Sequence, residues 1–86
     1  MSADLIAAMR ERLAPLAPSR LDIRDDSARH AGHGASGGHF AMTIVSGCFA
    51  GKRPMERHRM VYDALGALMK TDIHALSIDA KTPDET

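Results

Sequence analysis

Five histidines in 86 residues are the feature of this chain with the most chemical use. A neutral imidazole binds iron or zinc through one ring nitrogen while a neighbouring group holds the other. His30 and His33 lie in the glycine-rich run DSARHAGHGASGG, residues 26–38, and His39 opens the run HFAMTIV. His58 sits in ERHRM and His74 in DIHALSI. For His74, two readings stand side by side: a turn histidine hydrogen-bonded to a carbonyl, or a metal ligand. For His30 and His33 the choice lies between a solvated polar loop and ligands on a mobile one. His58 falls beside Tyr62, Leu65 and Met69 on a helical wheel, and His39 opens a strand, so both read as structural. The one thiol, Cys48, has no general base placed by sequence to activate it, and a buried or half-buried side chain is expected.

The elements that must position these residues follow from periodicity. Val61, Leu65, Leu68 and Met69 make a helical stripe over residues 54–70, with Pro54 suited to the first turn and Lys70 to the last. Leu76, Ser77, Ile78 and Asp79 then alternate as a half-buried strand does. His74 is expected in the turn between them. Leu5, Ile6, Met9, Leu13 and Leu16 give an earlier helix stopped by Pro15 and Pro18. Leu21 and Ile23 mark a first strand, and Phe40, Met42 and Ile44 mark the core face of a second. Phe49 is expected to pack back onto the core. Residues 26–38 carry no aliphatic side chain larger than alanine and are expected to be a mobile loop. Residues 81–86 are expected to be a frayed polar tail. The order is an α+β, two-layer αββαβ domain: one domain over residues 1–86, its three-stranded sheet covered by helices on one face.

Composition limits the function classes. Hydrophobic residues at 44% and charged residues at 26% fit a single small globular domain rather than a disordered chain. With one cysteine no internal disulfide can form. No apolar run approaches the ~20 residues of a membrane span and the N-terminus lacks a signal-peptide plan, so a cytoplasmic location is expected. A net charge of zero argues against strong non-specific nucleic-acid binding. Lys52, Arg53, Arg57, His58 and Arg59 form the one basic cluster, read either as a solvated helix start balanced by Glu56 and Asp63 or as a phosphate-contacting surface. No nucleophile–base–orienter set supports an enzyme. A closed structural zinc site lacks the cysteine pair such sites use.

Several linked motifs resemble the BolA family. ERHRMVYDALGALM followed by IHALSI is similar to that family's RHR-type helix leading into a (V/I)HAL strand. HFAMTIVSGCFAGK resembles its HF…VS…F.GK segment, and Asp26-Ser27 before a histidine-bearing loop matches its start. The likeness runs from Leu5 to Pro83. It implies a class II KH-like fold with a mixed sheet, the third strand parallel to the second. It also implies a non-enzymatic adaptor that binds a monothiol glutaredoxin and shares a [2Fe–2S] cluster, with thiolates from the glutaredoxin and its glutathione. The family's cluster histidine is that of the (V/I)HAL motif, here His74. Its second ligand comes from the loop after the Asp/Glu-Ser pair, where His30 is the best match and His33 a close second. The role implied is iron–sulfur trafficking or iron-linked regulation, by a monomer or weak homodimer when apo. Some family members are described as transcriptional regulators, which makes a DNA-binding regulator using Lys52, Arg53, Arg57 and Arg59 the alternative. KH domains grip nucleic acid with a GXXG loop between helices. The matching turn, Gly51-Lys52-Arg53-Pro54, lacks the second glycine, so KH-style RNA binding is not implied.

Overall fold

The computed structural model describes residues 2–26 and 38–86. The elements run α1 (Ser2–Leu13), β1 (Arg20–Asp25), β2 (Gly38–Val45), α2 (Pro54–Leu65), α3 (Leu68–Thr71) and β3 (Ile73–Lys81), with short 3-10 turns between some of them. The sheet order is β1-β2-β3. β1 runs antiparallel to β2, from Arg20 opposite Val45 to Asp25 opposite Phe40. β3 runs parallel to β2. The parallel pairing needs a crossover, and α2 with α3 supplies it. This is the α+β mixed sheet expected, with β3 beside and parallel to β2.

One face of the sheet carries the core. Phe40, Met42 and Ile44 of β2 bury together with Met9 and Leu13 of α1, Phe49, Val61 and Leu65 of α2, and Ile73. Leu21, Ile23, Leu76, Ile78 and Ala80 complete that face from the flanking strands. Phe49 is fully buried, as its apolar bulk in an otherwise polar turn requires; truncating such a ring to alanine costs roughly 3–5 kcal/mol. The other face keeps Arg20, Asp22 and Arg24 of β1 and Ala75, Ser77 and Asp79 of β3 exposed. The helices therefore lie on one side, and the opposite side of the sheet stays polar.

Four expectations need correction. The helix over 54–70 is not continuous: α2 ends at Leu65, Gly66 turns the chain at φ 56° and ψ −126°, and α3 adds one short turn. That backbone conformation is open to glycine and strained for a side chain, so the apolar stripe continues across a break that periodicity does not register. β3 begins at Ile73, so His74 lies within the strand rather than in a turn before it. Cys48 is exposed, at a 3-10 turn whose cap is the buried Ser46: the Ser46 hydroxyl oxygen accepts from the Cys48 N–H at 3.2 Å. The C-terminal segment is tied down. Pro83–Glu85 form a 3-10 turn in which the Glu85 carboxylate accepts from the Thr82 N–H at 2.9 Å and from the Arg57 guanidinium at 2.6 and 3.0 Å. Residues 27–37, which make up most of the loop expected to be mobile, lie outside the described residues, and His30 and His33 with them.

Candidate metal centre at the sheet end

Two histidines meet where β2 and β3 begin. Gly38 pairs with Ile73, yet His39 pairs with Ala75, so β3 holds one residue more than β2 at this point. Such a bulge breaks the alternation of faces and re-aims the inserted side chain. Ile73 is accordingly buried in the core, while His74 and Ala75 are both exposed in succession before alternation resumes at Leu76. The bulge turns His74 toward His39: the ring centroids stand 5.0 Å apart with the planes tilted by 47°.

The backbone around the pair is held from three sides. The Gly38 N–H donates to the Asp72 carbonyl at 3.0 Å, closing the start of β2 against the end of α3. The Asp26 N–H donates to the His39 carbonyl at 2.7 Å, fixing β1 at the same level. The Phe40 ring folds back over Gly38 so closely that a β-carbon there would stand 2.1 Å from a ring carbon. Only glycine permits that approach, and the packed ring in turn anchors the strand on which His39 is mounted. By sequence His39 reads as a structural residue opening a strand beside Gly38. The available signal was their adjacency in GGHF, which gains meaning only once the register with β3 is known.

Among the described residues, no group of three or more His, Cys, Asp or Glu side chains is placed to hold a metal. The centre offers two imidazoles, borderline donors suited to iron or zinc, and any further ligand comes from elsewhere. Asp26 and Gly38 both stand at this end of the sheet. His58 is half-buried on α2.

The basic cluster is thinner in space than in sequence. Lys52, Arg53 and Arg59 are exposed. Arg57 is not: its side chain is 12% exposed and donates to the Lys52 carbonyl at 2.9 Å, the Ala80 carbonyl at 3.0 Å and Glu85. The Glu85 pairing raises the Arg57 pKa above its ordinary value. The Arg57 hydrogen bonds, together with that from the Thr82 N–H, lower the Glu85 carboxyl to about 2. The nearby groove is lined by Lys52, Arg59 and Met60 but also by Glu56 and Asp63, so its charge is mixed.

The family model described as BolA-like protein matches residues 13–85. A relative in Mus musculus, BolA-like protein 1, is 42% identical over 78 residues, covering 90% of this chain and 57% of that protein. The DNA-binding transcriptional regulator BolA of Escherichia coli (strain K12) is 37% identical over 82 residues, covering 90% of this chain and 78% of that protein. The solved BolA domain of SufE1 from Arabidopsis thaliana superposes with a TM-score of 0.83 at 46% identity over 93% of each chain. The chain spans between 23% and 57% of the length of the first curated relatives it matches. No helix among the described residues is long and apolar enough to cross a membrane.

Proposed function

The chain belongs to the BolA family, and from that premise we propose that it is a non-enzymatic adaptor that binds a monothiol glutaredoxin and co-ligates a [2Fe–2S] cluster. Its role is iron–sulfur trafficking or iron-linked regulation. The observation that carries this reading is the exposed His74 imidazole, re-aimed by a strand bulge at an open sheet end. Two imidazoles make an incomplete site, which suits a shared cluster: the remaining ligands are thiolates from the glutaredoxin cysteine and its glutathione. Histidine in place of thiolate raises a cluster's potential, and imidazole must be deprotonated to bind, which adds pH dependence. An exposed free thiol at Cys48 suits a reducing compartment, and we place the protein in the cytoplasm.

The competing reading, a DNA-binding regulator, draws on the name of the Escherichia coli relative. It is weaker on the geometry, because Arg57 is spent on Glu85 and two carboxylates share the groove with Lys52 and Arg59.

Co-expression with a monothiol glutaredoxin tests the adaptor reading. The copurified complex is expected to carry iron and a visible absorption spectrum, and His74→Ala is expected to lose both. Asp72 and Ser77, its polar neighbours, are hard oxygen donors poorly suited to replace it. If His74→Ala keeps the wild-type spectrum and iron content while His58→Ala loses them, the helix histidine is the ligand and this assignment is wrong.

A further inference from the structure

β1 is an outer strand: in the order β1-β2-β3 its inner side pairs with β2, and among the described residues no strand lies along its other side. In an antiparallel ladder, residues whose backbone groups turn inward alternate with residues whose groups turn outward. The Asp26 N–H donates inward to the His39 carbonyl. By that alternation Arg24 and Asp22 also bond toward β2, while Ile23 and Leu21 carry their N–H and C=O groups along the outer edge. An edge of this kind is a template for another strand. The side chains alternate as well. Arg20, Asp22 and Arg24 stand exposed on the polar face, and Asp26 continues the row by accepting from the Arg24 Nε at 2.8 Å. The row therefore reads plus, minus, plus, minus.

We propose that two copies of this chain pair antiparallel along β1, with Ile23 facing its own counterpart on a two-fold axis. The charge order selects that register. With Ile23 opposite Ile23, each Asp22 faces the second copy's Arg24, and each Arg20 faces the second copy's Asp26. These are non-hydrogen-bonded pairs, the kind whose side chains stand closest. A slip of two residues one way sets Asp22 against Asp22 and Arg20 against Arg24. The same slip the other way sets Arg24 against Arg24 and Asp22 against Asp26. Either alternative opposes like charges, which destabilises a strand pair. Charge can also serve only to blunt an edge, but uniform charge would blunt it better than a self-complementary row. The in-strand pairs Arg20–Asp22 at 2.7 Å and Arg24–Asp26 at 2.8 Å involve exposed side chains of Arg20, Asp22 and Arg24 and contribute little, so these side chains are open to new partners. On the other face, the half-buried Ile23 packs against the core and would meet its counterpart across the axis, covering apolar surface left at the sheet edge. Such a contact is isologous and closes as a dimer. β3 lies at the opposite edge of the sheet, so pairing leaves His74 exposed in both copies.

Sedimentation equilibrium of the full chain, under reductant so that the exposed Cys48 does not link chains, is the test. A reversible dimer is expected with a dissociation constant on the order of 0.1 mM, in keeping with an interface below standard size. Asp22→Arg places arginine against Arg24 at two symmetric positions and is expected to weaken association at least about tenfold. Adding Arg24→Asp restores opposite charges at both positions, and the double variant is expected to return to within about threefold of wild type. A wild type that stays monomeric at about 1 mM overturns the proposal. So does a dimer indifferent to Asp22→Arg, or one that the second substitution does not restore. Should the variants fail to fold, amide exchange on the wild type decides the matter. The Leu21 and Ile23 amides are expected to gain protection as concentration rises, while those of Asp22 and Arg24 do not change. Concentration-dependent protection confined to other strands or helices refutes pairing through β1.

Discussion

A histidine placed on a bulge is inexpensive to remove and costly to replace. His74 is exposed and its side chain takes no part in the apolar cluster, so His74→Ala is expected to change folding stability by no more than about 1 kcal/mol. Thermal melts of the isolated variant check this, and a large loss would mean that the imidazole is structural. Gly38 is the opposite case. A methyl group there meets the Phe40 ring at 2.1 Å, and that ring is itself buried, so it has little room to withdraw. Gly38→Ala is expected to cost about 1–3 kcal/mol, the range for overpacking a tight site. In a domain of this size that lowers the melting temperature by roughly 4–8 °C for each kcal/mol. An unchanged melt would show that Phe40 can move aside without penalty.

At the scale of elements, the end of the chain is stapled to the start of α2. Arg57 bridges the Lys52 carbonyl before the helix, the Ala80 carbonyl in β3 and Glu85 in the final turn. Glu85 is held at about 2, below its ordinary 4.5, chiefly by the Arg57 hydrogen bonds. A carboxyl depressed in the folded state contributes stability that is complete above its unfolded pKa and is lost as pH falls toward the folded one. The window is therefore from about 4.5 down to about 2. Denaturation measured across that window is expected to show the wild type losing stability more steeply than Glu85→Gln, whose amide cannot titrate. Parallel curves would mean that the pair adds nothing in solution. The break at Gly66 belongs to the same scale, because it lets α3 turn away from α2 and deliver the chain to Ile73.

Over the whole molecule, charge sets what the protein can approach. The net charge is zero, and with Arg57 engaged the helix start presents Lys52, Arg53 and Arg59. Three phosphates neutralised give a slope of log affinity against log salt of about −3. Fluorescence anisotropy on duplex DNA is expected to find weak binding that disappears as salt rises. A sequence-specific, sub-micromolar and salt-tolerant complex would move the regulator reading ahead of the adaptor.

Much of this architecture is legible in the amino-acid sequence. The alternation at Phe40, Met42 and Ile44 and the stripe at Val61 and Leu65 identified the buried faces, because burial of apolar side chains at periods of 2 and 3.6 is a local property of the chain. Strand order came from family likeness, since spacing carries no information about which strands pair. What only the tertiary structure decided depends on residues distant in the chain. The hydrogen bonds of Arg57 with Glu85 span 28 positions, which turns an expected cation of the surface into a staple and an expected frayed tail into an ordered turn. His39 meets His74 because a one-residue shift in the register between two strands turns one imidazole toward the other, and register is set by packing of whole strands against a core, not by the residues at the site.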